Sequence, residues 1–160
     1  MPKQRGFSLI ELLIVVAVIL VIVAIAIPNL MKSRIAANES SAVGSLRAIN
    51  NAEVTYNTAY STYTCSLTAL GPISGGASAT SSAAGILDAN LASGSKSGYL
   101  FTTGTCTVTA NGGTTTYQWL ANPISPGASG SRYFCTDDTF NVRVDPNSAD
   151  NCLAIGSPVG

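Results

Sequence analysis

The residue with the most chemistry to explain is Glu11. It stands inside Phe7 to Ile27, 21 residues in which only Ser8 and Glu11 are polar. A carboxylate in such a run costs a few kcal/mol or more in a membrane, so it marks a functional position. No cation within the run can pair with it. The nearest basic residues, Lys3 and Arg5, lie in a short leader, Met1-Pro2-Lys3-Gln4-Arg5-Gly6. Cleavage after Gly6 would create an α-ammonium group on Phe7, about one helical turn from Glu11. The partner missing from the run is then a new amino terminus, on the same copy or on a neighbour.

The other candidate chemistry is sparse. The chain contains no histidine, which excludes Ser-His-Asp and Cys-His catalysis and any His-ligated metal. No glycine pair opens a lysine-containing phosphate loop. We therefore expect no catalytic residues and no enzymatic activity. Cys65, Cys106, Cys135 and Cys152 all follow the apolar run, with no close pair of the kind zinc requires. An even number of scattered cysteines on the exported side reads as two disulfides. Three connectivities are possible. The favoured one joins Cys65 to Cys106, tying the loop after the helix to a sheet, and Cys135 to Cys152, closing a carboxy-terminal loop. Asp137, Asp138, Asp145 and Asp150, with Asn147 and Asn151, offer oxygen ligands of the type calcium uses. Their spacing is not that of an EF-hand. Solvated turn residues are the preferred reading, and no cofactor is expected.

These residues need elements to position them. A helix over the apolar run covers about 30 Å, the thickness of a bilayer's hydrocarbon core. Lys3 and Arg5 should hold the leader in the cytoplasm. Unlike an ordinary secretory signal, the small residue Gly6 precedes the apolar run, so cleavage leaves that run on the mature protein. An uncleaved signal anchor would have the same topology but give Glu11 no task. Pro28 removes a backbone donor, so a kink or local melting is expected near Ala24. The helix then resumes to about Tyr60, with Ile35, Ala42, Leu46, Ile49, Ala52, Tyr56, Ala59 and Tyr63 as its apolar stripe. Lys32, Arg34, Asn38, Glu39, Arg47 and Asn51 fall mostly elsewhere. Tyr56, Tyr60 and Tyr63 share a face and are read as packing against a sheet.

This combination resembles the type IV pilin and type II secretion pseudopilin family. The likeness rests on the basic leader, the Gly6–Phe7 junction, Glu11 and the uninterrupted apolar run GFSLIELLIVVAVILVIVAIAIPNL. It covers roughly the first 35 residues closely and the rest in outline. It implies a prepilin peptidase that cleaves between Gly6 and Phe7 and N-methylates Phe7. It also implies that Glu11 neutralises the Phe7 ammonium of an adjacent subunit, that Pro28 kinks the helix, and that calcium near the carboxyl end is an option.

The expected fold is therefore α+β and pilin-like, a long amino-terminal helix on a four-stranded antiparallel sheet. Residues 1–6 form the leader, 7–28 the transmembrane and assembly helix, and 29–60 the amphipathic helix of a head domain. Residues 61–98 form a connecting loop with a short helix from about Ala83 to Gly94. Residues 99–160 form the sheet and a disulfide-closed loop. Two hairpins are expected, the first turning at Asn111-Gly112-Gly113 and the second at Thr136 to Thr139. Residues 121–130 and the tail from Pro146 read as loop.

Charged residues make up only 10% of the chain and the formal charge is zero. After loss of the leader, six basic side chains face eight acidic ones, which excludes an electrostatic nucleic-acid binder. The functional expectation is the major subunit of a type IV pilus, a homo-oligomeric helical filament. It would rest in the bacterial inner membrane before an assembly platform there extracts it into an extracellular fibre for attachment, motility or DNA uptake. The same architecture would serve a major pseudopilin in a periplasmic type II secretion filament. A membrane-anchored periplasmic binding domain that never polymerises is a third possibility. The long small-residue loop and the carboxy-terminal disulfide lean towards the pilus.

Overall fold

A computed structural model describes residues 7–75, 77–147 and 152–159. The chain divides into two compact units, Met1–Arg34 and Ile35–Gly160, the second called the head below. Helix α1, Leu9–Tyr60, supplies elements to both. Its helical assignment runs through Pro28, so the local melting expected there is not realised. Next to the proline, the Asn29 side-chain amide donates to the Ile25 carbonyl at 3.2 Å, and the Ser33 hydroxyl to the Asn29 carbonyl at 3.0 Å.

In the head, α1 lays one face on a sheet. Ala42, Leu46, Ile49, Ala52 and Tyr56 are buried as the periodicity requires. Three members of the expected stripe are not: Ala59 is exposed, Ile35 is half-buried, and Tyr63, also half-buried, lies beyond the end of α1. Glu39, expected on the polar face, is buried, as are Asn50 and Glu53.

The sheet has six strands, not four, in the order β1-β2-β5-β6-β7-β8, with every pairing antiparallel. These are β1 Ser95–Lys96, β2 Tyr99–Thr103, β5 Gln118–Pro123, β6 Tyr133–Asp137, β7 Arg143–Asp145 and β8 Ser157–Pro158. A separate two-stranded sheet pairs β3 Thr107–Val108 with β4 Thr114–Thr116. The first expected hairpin is thus two structures. β2 passes over the small hairpin to pair with β5, Phe101 opposite Ala121 and Thr103 opposite Trp119.

The short β1 strand was unforeseen. It reaches β2 through Ser97 and Gly98, both at positive φ (51° and 75°), the pair of left-handed residues that a tight hairpin turn with native strand twist demands. Within the segment expected to be loop lie two four-residue helices, each begun by a side-chain cap. Ser66 accepts the Ala69 N–H at the start of α2, Leu67–Leu70, and Asp88 accepts that of Leu91 in α3, Ala89–Ala92. The Asp88 cap explains why the second helix starts later than Ala83. The tail carries α4, Cys152–Ile155, before β8, where plain loop was expected.

Burial follows the pleat. In β2, Tyr99 and Phe101 point to the helix while Leu100 is exposed. Central β5 is buried on both faces. Trp119 and Ala121 join the helix-facing core with Tyr99, Phe101 and Phe134, whereas Leu120 packs with Cys135 and Cys152 on the other side. The favoured disulfide connectivity is the one formed, Cys65–Cys106 and Cys135–Cys152. The second bond holds α4 over the outer face of β5 and β6.

Polar side chains fix the helix to this sheet. Asn50 donates to Thr136 Oγ1 at 2.8 Å and accepts the Tyr117 hydroxyl at 3.2 Å. Asn38 donates to the Ser129 carbonyl at 2.8 Å. Glu39 accepts the Ser131 N–H and hydroxyl at 2.9 and 2.8 Å, the Arg132 N–H at 3.2 Å and Arg132 Nε at 2.8 Å. Arg132 Nη2 completes the ion pair at 2.7 Å. Burial disfavours the Glu39 charge, but the Ser131 backbone and Arg132 more than offset it and hold the carboxyl below its ordinary value.

Glu39→Ala should lower head stability by roughly 3 kcal/mol, since it strips a buried ion pair and leaves two backbone donors unmet. Arg132→Ala should cost less, because that side chain is half exposed and Glu39 keeps its Ser131 bonds. Urea melts of both variants check the ranking, and equal losses would contradict it. Replacing Cys135 and Cys152 together by serine should lower stability by about 3 kcal/mol through release of a closed loop in the unfolded chain, read from the same melts.

Candidate functional site

The first turn of α1 brings together the residues singled out in the sequence. Phe7 precedes the helix and is 84% exposed. Glu11 lies in the first turn, where the helix dipole favours a negative charge, and its Oε2 accepts the Ser8 N–H at 3.1 Å. The amides at a helix start lack partners inside the helix, and this bond satisfies one of them. The Leu12 N–H donates to the Ser8 carbonyl at 3.3 Å, so regular winding begins at once. Glu11 is thus folded back toward Phe7, with its other oxygen in no hydrogen bond to the described residues. Gly6 and the rest of the leader lie outside the described residues.

From Leu12 to Ile27 the helix carries no polar side chain. Every large apolar side chain from Leu9 to Met31 is at least 40% exposed, and the apolar stretch of α1 buries nothing. Among the described residues this is the one helix long and apolar enough to cross a membrane. Side chains of this kind require lipid or other apolar helices around them.

The acidic residues near the carboxyl end are not brought together. Asp137 Oδ1 accepts the Thr139 N–H at 3.0 Å and the Thr139 hydroxyl, closing the β6–β7 turn. Asp145 stands at the other end of the hairpin, opposite Tyr133, and Oδ1 accepts the Asn147 N–H at 2.8 Å. The four steps along the strand from Tyr133 to Asp137 set the two ends roughly 13 Å apart at ~3.3 Å per residue. Asp137 and Asp138 therefore cannot share one calcium ion with Asp145. Asp150 and Asn151 lie outside the described residues. Among the described residues no three carboxylate or thiol groups are gathered as a metal site would need. The proposed ligand set is thus not gathered among the described residues, because the length of the hairpin separates aspartates that are close in sequence.

Sequence reasoning missed Glu53, the second buried carboxylate of α1. It accepts the Thr64 N–H at 2.9 Å and the Trp119 indole N–H at 3.0 Å. A signal was present: Glu39, Leu46 and Glu53 follow at seven-residue steps, which places both acids on the apolar stripe.

The family described as "Prokaryotic N-terminal methylation motif" matches residues 1–27. The type IV major pilin protein PilA of Myxococcus xanthus is 46% identical over 55 residues, 34% of this chain and 25% of that protein. The type II secretion system core protein G of Escherichia coli is 40% identical over 50 residues, 31% of this chain and 34% of that protein. The type IV wide pilus major component PilA4 of Thermus thermophilus is 37% identical over 70 residues, 44% of this chain and 53% of that protein. The matched regions thus span between a quarter and about half the length of these curated relatives. A bare apolar helix opening on Phe7 and Glu11, a helix-on-sheet head and these similarities agree: over its amino-terminal part the chain is similar to type IV pilins and to a type II secretion core protein.

Proposed function

We propose that this protein is the major structural subunit of a type IV pilus and polymerises through the first half of α1. The observation that carries the reading is an uncovered apolar helix with a single acid in its first turn, next to Phe7. In the inner membrane lipid covers the helix. On extraction by an assembly platform, the one comparable surface is the same helix on other copies. Contacts between unlike patches that do not close into a ring build a fibre. Glu11 sets the register. A prepilin peptidase removes the leader after Gly6 and methylates the Phe7 amine, and the Phe7 ammonium of one copy pairs with Glu11 of the next. Losing one partner of such a pair away from water costs ~3–5 kcal/mol, enough to stop growth. The chain's role is architectural and uses no catalytic group.

Two of the three relatives named above are major components of pili, which supports the pilus. The similarity to a type II secretion core protein supports a second reading, a secretion pseudopilus of the same construction. Protein in fibres sheared from the cell surface is the outcome expected of the first reading and not of the second.

Glu11→Ala should enter the membrane and lose its leader normally, yet yield less than about a tenth of the normal sheared fibre, given a penalty of that size. Fibre at normal yield would rule out the pairing. Gly6→Val should accumulate at precursor mass. Mass spectrometry of the mature amino terminus reads this directly, and a methylated Phe7 in that variant would refute the requirement for Gly6 at the junction.

A further inference from the structure

Glu39 and Glu53 are both buried residues of α1, but among the described residues only Glu39 has a cation. Glu53 is fully buried, and its two oxygens receive one neutral donor each, the Thr64 N–H and the Trp119 indole N–H. The titratable groups around it are all acids. Tyr56 faces it from its own helix and Tyr117 from the start of β5. Beyond Tyr117 lie Tyr63, in ring contact with it at 5.0 Å, and Asp137 and Asp138. None of these can supply positive charge.

The two donors differ in how firmly they are held. Trp119 is buried in the central strand, locked by pairing on both sides. Thr64 sits in the segment just after the helix, which the chain enters through Ser61 at φ 56°. Thr64 itself is buried while Thr62, Tyr63, Cys65 and Ser66 are half-exposed, and the segment is tied down by the Tyr63–Thr114 bridge, the Cys65–Cys106 bond and the four-residue α2. Water drawn to a charged Glu53 would enter from this side, since short, partly exposed segments open at the lowest free energy.

We propose that Glu53 is a proton-operated latch on the head: carrying a proton it lies dry against Trp119 with the Thr64 segment closed, and on losing the proton it hydrates and frees that segment. Burial pushes its carboxyl up to about 7, with the Thr64 and Trp119 bonds opposing this only in part. The folded head thus holds this proton more tightly than the unfolded chain does. The stabilisation is complete below the ordinary carboxyl value and is lost as the pH rises through about 7. Glu39 acts in the opposite sense, its contribution being lost in acid.

Trp119 is the single tryptophan and its indole N–H donates to Glu53, so its emission is a local probe of that carboxyl's surroundings. With the full chain in detergent micelles, emission followed from pH 5 to 9 should show one transition near 7, absent in Glu53→Gln. Exchange of the Thr64 amide, corrected for its intrinsic pH dependence, should accelerate roughly tenfold per pH unit as the pH rises toward the midpoint and level off above it. A flat emission curve, or the same transition in Glu53→Gln, overturns the latch. Should that variant not fold, the carboxyl carbon shift of Glu53 in the unaltered protein serves instead. A midpoint near 7 there supports the latch, and one near 4.5 sinks it.

Discussion

An apolar helix that has no protein around it imposes one requirement on this molecule. From Leu9 to Met31 the large side chains of α1 have nothing packed on them, so something greasy must cover them wherever the protein goes. Lipid does this in a membrane. In any assembly away from lipid, the cover must be equally apolar, and the chain provides such a surface in its own copies. Within that constraint a single carboxylate carries unusual weight. Apolar helices can slide along one another at small cost, whereas an acid that must meet one positive group admits few positions. The Glu11 side chain already closes back on the Ser8 amide, which keeps it near the start of the helix.

The second half of the same helix obeys different rules. Its core-facing stripe meets a sheet whose inner face is rich in aromatic residues, Tyr99, Phe101, Trp119 and Phe134. Large rings fill the space between helix and strands, and Asn50, Glu39 and Glu53 supply direction that apolar contact alone does not. The two buried acids are satisfied by different means. Glu39 has a guanidinium and lies below the ordinary carboxyl range; Glu53 has only neutral donors and lies above it. The head is consequently best held together in mildly acidic to neutral surroundings.

The disulfides divide the work of closing the head. Cys65–Cys106 ties the segment after α1 to the turn beyond β2, while Cys135–Cys152 fastens the tail across the outer face of the sheet. That outer cover is why β5 is buried on both sides and reads as a nearly continuous buried run. An exposed outer face would have shown a cleaner alternation.

The apolar run, its acid, the glycine before Phe7 and the stripe from Ala42 to Tyr56 are local patterns, and by themselves they determined the anchor, the helix and the family resemblance. The order of elements favoured one pairing of the cysteines out of three, and the folded chain is what selects it. What the tertiary structure alone decided depends on distant partners. Nothing in Tyr99 to Thr103 tells it to skip Thr107 and pair with Trp119, because strand partners are selected by the whole core. Nothing in Glu39 announces that Arg132, 93 residues away, will make its burial tolerable. The aspartates show the converse, since closeness in sequence did not survive a hairpin that carries its two ends apart. Periodicity along a chain fixes which face of an element is apolar; which surface arrives to cover it is a property of the folded whole.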